Sequence, residues 1–387
     1  MSRHHLLLCI NPASGAGRGA DAGAETAARL RSGGADVEIL AVPGDDGTSP
    51  ARRYSEALTV RLARTAAGAA PAAVVVVGGD GMLHATANVL AGTGIPVGLV
   101  PAGTGNDLAR ALGLADSGVV GAVDRILSGL DRPPRRIDLA RVDLDPMPAA
   151  LPAGPDFAGT VDGRPAAGAA PERVFRYVVS GVNVAFDAAV NATANQMRWP
   201  RGGLRYVAAV LVELLRFRPL DLRTRLDGPD RRDGPDGQGG HDVRVLAGPT
   251  FLLAVMNGRF IGGGMEVTPG TRIDDGVLEV FRVTPLSPVR FLRVFPRVFA
   301  GHHTDLPEVE IQEASSVRIE NITAVEHPVP PGLPSWRSAD PVLHGDGEPL
   351  GMLPATVTVV SGALTVLDTE LLHSPMPSTQ GRQTADG

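Results

Sequence analysis

Four short runs of unbroken Val, Ile and Leu character, at residues 6–10, 37–42, 73–77 and 95–100, punctuate the first third of the chain. Each is followed by a longer stretch with helical periodicity, at 20–31, 50–67, 83–90 and 107–114. Strands that are continuously apolar, rather than alternating, must be covered on both faces, and that is the mark of a parallel sheet wound with helices. Ligands of such folds bind beyond the carboxyl ends of the strands. Three of those ends carry conspicuous loops: Asn11-Pro12-Ala13-Ser14-Gly15, Gly78-Gly79-Asp80-Gly81 and Gly103-Thr104-Gly105-Asn106-Asp107.

Beyond Arg132-Pro133-Pro134 the texture changes. Apolar runs at 136–142, 174–182, 251–256, 276–283, 317–321 and 356–366 read as strands, with one clear helical stretch at 204–217. A length of 387 residues suits two domains. The expectation is an α/β domain over 1–134 followed by a β-rich domain. Three Gly/Pro-rich stretches, 143–171, 227–240 and 327–341, read as flexible insertions, and 374–387 as a disordered tail.

All 36 Lys+Arg positions are arginine; the sequence contains no lysine. This excludes a Schiff-base lysine, a Walker A lysine and the lysine of the protein-kinase third strand. Every fixed positive charge is a guanidinium, which does not titrate at working pH. A net charge of −6 and the lack of a basic tail argue against nucleic acid as a partner. The single cysteine, Cys9, excludes a disulfide framework and suits a reducing cytoplasm. The apolar run at 6–10 is too short for a signal-peptide core, and no uncharged apolar stretch approaches the length of a membrane span.

The chemistry concentrates in four motifs. In the first, Gly78-Gly79-Asp80-Gly81 between strand and helix lets backbone N–H groups approach an anion, while Asp80 can hold a divalent cation that bridges phosphates. An ordinary glycine-rich turn would use the same residues. The second, Gly103 to Asp107, repeats the pattern; Asn106 or Asp107 suits a helix cap, and Arg110, one turn on, can hold a phosphate bidentately. Two such turns at adjacent strand ends look like one nucleotide site. The third is Asn257-Gly258-Arg259-Phe260-Ile261-Gly262-Gly263-Gly264-Met265, followed by Asp274-Asp275-Gly276. In the fourth, Asp346-Gly347-Glu348, carboxylates at i and i+2 can converge as a general base or metal site, although Asp-Gly is also a hairpin turn.

In series and in this order, the four segments resemble the diacylglycerol kinase catalytic domain family of soluble bacterial lipid kinases, related to sphingosine and ceramide kinases. The resemblance covers most of residues 5–367. It implies a Rossmann-like α/β domain followed by a β-sandwich domain over 135–356, with ATP and Mg²⁺ in the cleft between them and a final strand segment, 357–368, returning to the first domain. It places Asn11, Pro12, Ala13, Ser14, Gly15, Gly79, Asp80, Gly81 and Thr104 around ATP. Asp80, Asp107 and Arg110 would organise phosphates and magnesium, with Asn106 beside them and Asp138 a further candidate. Glu348 would take the proton, with Asp346 beside it, and a structural Mg²⁺ would sit on Asp275 and the carbonyls of Arg272 and Val277. Some positions depart from the family pattern. Met82 and His84 stand where a threonine and an asparagine are usual, so His84 is a candidate phosphate contact. Ala16 replaces a first-loop lysine, with Arg18 nearest.

The implied reaction is phosphoryl transfer from ATP to a lipid hydroxyl, diacylglycerol to phosphatidic acid. A non-catalytic lipid-binding or nucleotide-sensing relative is the alternative, and an NAD kinase would need an Asn-Glu pair that Gly103 to Asp107 does not supply. A lipid acceptor implies reversible contact with a membrane surface. Trp199 and Tyr206 among Arg198, Arg201 and Arg205 suit that contact, as they suit a solvated helix. Family members often dimerise, which makes a homodimer a further expectation.

Overall fold

The computed structural model describes residues 4–43, 48–65, 70–145, 175–185, 190, 193, 197, 208–210, 212–213, 219–229, 242–322 and 342–367. Most of the three Gly/Pro-rich insertions, most of the 204–217 stretch, Trp199, Tyr206 and the tail lie outside the described residues.

The apolar runs wind as their covering demands. In chain order the first part comprises β1 (His5–Ile10), α1 (Ser14–Gly17), α2 (Gly19–Ser32), β2 (Asp36–Ile39), α3 (Pro50–Ala63), β3 (Ala73–Gly78), α4 (Asp80–Leu90), β4 (Val97–Pro101), α5 (Asp107–Ala111) and α6 (Gly118–Gly129). The strands lie parallel in the order β2-β1-β3-β4. Along β3 every residue is buried, and alternate side chains serve opposite faces. Val74 and Val76 pack with Tyr54, Leu58 and Leu90, and Val75 and Val77 pack with Leu30 and Ile126. Two helices differ from the sequence reading in ways that shape the site. α4 begins at Asp80 itself, which puts the carboxylate in the first turn at the positive end of the helix. α5 stops at Ala111 because Gly113, at φ 64°, takes the left-handed conformation that ends helices.

The second part is β-rich: β5 (Arg135–Leu144), β6 (Phe175–Val178), β7 (Gly181–Ala185), β8 (Leu220–Asp227), β9 (Val243–Thr250), β10 (Leu252–Met256), β11 (Phe260–Ile261), β12 (Met265–Glu266), β13 (Leu278–Val283), β14 (Val309–Ala314), β15 (Ser316–Asn321), β16 (Val342–Gly345), β17 (Glu348–Met352) and β18 (Ala355–Val366). A six-stranded antiparallel sheet, β14-β13-β10-β7-β16-β17, packs through Val184, Leu253, Val255 and Val280 onto Leu222, Val317 and Val357 of the first sheet. β18 joins the two parts. It pairs with β15 and β5 in the sandwich, bulges between Val360 and Leu364, and brings Val366 beside Val97 of β4, so that one sheet of ten strands runs through both parts.

The run at 174–182 is not one strand. Val179 and Ser180 break it into β6 and β7 because their N–H groups both turn to the Asp346 carboxylate, at 2.8 Å each. A helix at Pro288–Val294, continued by a 3₁₀ helix at Phe295–Ala300, stands where the sequence suggested little helix. Ser287 caps it by accepting the Arg290 N–H, and Pro288 fills its first position.

Candidate active site

The three strand-end loops meet backbone to backbone, which is why glycine recurs in them. A Cβ on Gly103 would lie 2.5 Å from the Gly79 Cα, and one on Gly15 would lie 2.4 Å from the Ala102 carbonyl oxygen. Gly105 likewise leaves room for Asp80, whose Oδ2 would be 2.7 Å from a Cβ there. Across these contacts Asp80 Oδ1 accepts the Asp107 N–H at 2.8 Å, so the acid of one loop caps the helix that follows the other. Asn106 holds the left-handed conformation at φ 55°, and its side-chain amide pairs with both the N–H and the carbonyl of Gly103 at 3.0 Å. The expected helix-capping role of its side chain is therefore corrected: Asn106 shapes the glycine turn.

From the second part, the Gly262-Gly263-Gly264 turn between β11 and β12 closes on the same place. The Gly263 N–H donates to Asp107 Oδ2 at 3.1 Å. Arg110 lies against Gly264, where a Cβ would come within 3.1 Å of its Nε. Asp107 Oδ1 and Arg110 Nε are both buried with no hydrogen-bond partner. Buried polar atoms are normally paired, so this acid and this guanidinium are each one partner short, a deficit that a water, an ion or a phosphate oxygen would fill.

The β16–β17 hairpin supplies the third side. Asp346 and Gly347, at φ 52° and 87°, form the two-residue turn that left-handed residues favour. Asp346 is fully engaged: beside the Val179 and Ser180 N–H groups it holds His84 Nδ1 at 2.9 Å, with its side chain only 2 % exposed. Glu348 is half-buried and reaches over the start of α4, its Oε1 3.2 Å from where a Gly81 Cβ would be. Of the two carboxylates of this motif, Glu348 is the one with room to act.

Burial, then the charges of Asp107 and Asp346, pushes the Asp80 carboxyl up to about 6. Asp107 is also raised, mainly by burial, although the Gly263 and Gly264 N–H groups and Arg110 draw it back. Three carboxylates thus share one low-dielectric space with one guanidinium. No group of three metal-ligating side chains is assembled among the described residues. The two carboxylates of Asp80 and Asp107 are a donor set that would suit Mg²⁺, which takes one or two carboxylates and completes its shell with water and phosphate oxygens.

Pro12, Ala13 and Thr104 are exposed at the mouth, Asn11 Oδ1 accepts the Ala13 N–H at 3.1 Å, and Ser14 opens the one-turn α1. Arg18 Nε donates to the Gly15 carbonyl at 3.0 Å, so a guanidinium does lie on the first loop. Met82 is buried in the core beneath Gly78, which removes its side chain from the site. His84 has partners within the protein for both ring nitrogens: Nδ1 bonds Asp346 at 2.9 Å and Nε2 lies 3.4 Å from the Asn88 amide, which leaves neither free for the expected phosphate contact. Asp138 sits apart, its two oxygens accepting the Gly362 and Gly276 N–H groups at 2.7 and 2.6 Å. Asp275, Arg272 and Val277 share the turn entering β13. Asp275 Oδ1 accepts the Val277 N–H at 3.1 Å, and burial raises its carboxyl.

Two buttresses stand behind the site: Asn88, which the sequence does not single out, and Asn257, which opens the third motif without an assigned role. Asn88 pairs with both backbone groups of Tyr177, and buried Asn257 donates to the Asp138 and Val179 carbonyls at 2.9 and 2.7 Å. A polar residue one helical turn after His84 was the available signal for the first.

Residues 5–142 match the diacylglycerol kinase catalytic domain, and residues 180–368 match the YegS C-terminal NAD kinase beta sandwich-like domain. The diacylglycerol kinase of Mycobacterium tuberculosis strain H37Rv is 33 % identical over 370 residues, spanning 95 % of this chain and 97 % of that protein. The chain belongs to the diacylglycerol kinase family of lipid kinases. Among other relatives, the Bacillus subtilis diacylglycerol kinase is 22 % identical over 283 residues, spanning 73 % of this chain and 72 % of that protein. A putative diacylglycerol kinase from Bacillus anthracis str. Sterne shares the fold, with a TM-score of 0.61 at 17 % identity over 95 % of this chain and 98 % of that one. No described helix is long and apolar enough to cross a membrane.

Proposed function

We propose that this protein transfers the γ-phosphoryl group of ATP to the hydroxyl of diacylglycerol, giving phosphatidic acid. The observation that carries the reading is the under-neutralised pair Asp80 and Asp107, with Glu348 lying over Gly81 in the first turn of the helix that Asp80 begins. Asp80 and Asp107 would hold Mg²⁺, which when bound neutralises charge on the phosphates. The N–H groups of the glycine loops and the Arg110 guanidinium bind and orient phosphate oxygens. Glu348 accepts the proton of the acceptor hydroxyl as its oxygen bonds to the γ-phosphorus; the bond from that phosphorus to the bridging oxygen breaks, and ADP leaves.

An acyl-bearing acceptor is supported by an apolar cavity of about 80 Å³ on the outer side of the six-stranded sheet, lined by Leu252, Ile261, Met265, Phe281, Phe291 and Phe295 among others. Ile261 and Met265 line it and bracket the glycine turn whose Gly263 N–H bonds Asp107, so the short β11–β12 hairpin links the cavity to the acidic pair.

The test is transfer from labelled ATP to a panel of diacylglycerol, monoacylglycerol, a sphingoid base and a polyprenol in mixed micelles with Mg²⁺. Diacylglycerol is expected to be the best acceptor, and Glu348→Gln to slow transfer by roughly 10²–10⁴-fold, as loss of a general base does. Equal background rates for the parent and the variant would sink the reading.

A further inference from the structure

The helix Pro288–Val294 and its 3₁₀ continuation Phe295–Ala300 are apolar on both sides. Phe291, Val294 and Val298 face inward and wall the cavity. A helix laid on a protein core ordinarily turns a polar face outward. Here Val289, Leu292 and Phe299 are 70, 48 and 55 % exposed, and Val289 is the most exposed large apolar side chain among the described residues. With Pro296 they recur at the three- and four-residue steps of one helical face. Single exposed apolar residues mean little, but a stripe of them marks a contact surface.

The charges of the stripe are of one sign. Arg293 and Arg297 are exposed beside it with no ion pair to a described residue, whereas Arg290, on its flank, is bound to Glu308 at 2.9 Å. Of the acids on the following turn, Glu308 is thus engaged, leaving Asp305. We propose that this outer face docks the protein on an anionic lipid bilayer. The apolar side chains enter the acyl boundary and the two guanidinium groups lie among headgroup phosphates. A second copy of the chain fits less well, because a two-fold contact through this face would set Arg293 and Arg297 against their own equivalents. The same helix then separates the bilayer from the cavity by its own thickness, roughly 10 Å. Why the protein needs a bilayer rests on the lipid-kinase reading; the docking itself can be measured without it.

The test is co-sedimentation of the full chain with sucrose-loaded vesicles of phosphatidylcholine, alone or mixed with phosphatidylglycerol. The parent should pellet with the mixed vesicles. Leu292→Ser with Phe299→Ser should weaken its partitioning at least about tenfold. Arg293→Gln with Arg297→Gln, a surface change that leaves the core intact, should weaken it roughly 30-fold on mixed vesicles and not on phosphatidylcholine alone. Transfer to a short-chain, water-soluble diacylglycerol should be unchanged in both. A parent that fails to pellet, or variants that pellet as it does, would overturn the docking surface. So would variants that lose a dimer on size exclusion while still pelleting. A parent that pellets yet transfers nothing to the soluble acceptor would instead overturn the kinase reading alone.

Discussion

Asp138 and Asp346 on one side, and Asp80 and Asp107 on the other, are near-buried aspartates in glycine-rich surroundings, yet they do opposite work. Both oxygens of Asp138 and of Asp346 accept backbone N–H groups from distant segments: Gly276 and Gly362 for the first, Val179 and Ser180 for the second. These carboxylates are saturated, and they pin the turn before β13, the bulge of β18 and the β16–β17 hairpin. Asp107 keeps an oxygen with no partner, and Asp80 is held against two like charges. The lesson is that a buried acid fully bonded to backbone anchors the fold, while one left short of partners keeps free energy in reserve for a ligand.

The largest effect expected on this contrast is at the anchor. Asp138→Ala would strip the Gly276 and Gly362 N–H groups of their acceptor and cost about 3–6 kcal/mol, at roughly 1.5–3 for each bond to a charged group. Urea unfolding at constant m would read this as a lowered midpoint. A loss under about 1 kcal/mol would contradict the anchoring role.

A smaller effect is expected at His84, which supports the second anchor. His84→Ala removes one of the three donors on Asp346, costing about 1–3 kcal/mol, and slows turnover because the hairpin carrying Glu348 loosens. The Michaelis constant for ATP should stay within about twofold, because both ring nitrogens are taken up by Asp346 and Asn88. A raised constant with stability intact would restore the phosphate-facing role.

How much of this was legible beforehand follows from the range of each signal. The parallel sheet and the three glycine loops rest on local runs, and the sequence shows them; the return of the last strand to the first sheet is implied by the family resemblance. β8 and β14 were missed because charged residues alternate with apolar ones along them, which dilutes any local apolar count; β8 alternates buried and exposed side chains along almost its whole length. Which acids are saturated was not legible at all. The donors to Asp346 lie more than 160 residues away, and the His84 ring reaches it from 262 residues away. The turns of Met82 into the core and of Asn106 onto Gly103 are likewise products of packing.

The division of labour is tested most directly at Asp80, by measuring stability and turnover on the same variant. Its carboxyl is up at about 6 in the folded chain, against roughly 4 unfolded. The folded state therefore binds this proton more tightly, and the stability it lends is full below about pH 4 and lost as the pH rises through 6. Buried His344, pushed down to about 4, works in the opposite sense, its contribution being lost as the pH falls from 6.5 toward 4, so the difference between parent and variant isolates Asp80. Asp80→Asn keeps the oxygen that caps α5 and removes the repelled charge. The account predicts that at pH 7.5 without Mg²⁺ the variant melts higher than the parent, by about 1–3 kcal/mol of stability, that this gain shrinks toward pH 4, and that Mg²⁺-dependent transfer falls at least about 100-fold. A variant that melts lower than the parent, or that transfers phosphate as fast, would contradict it.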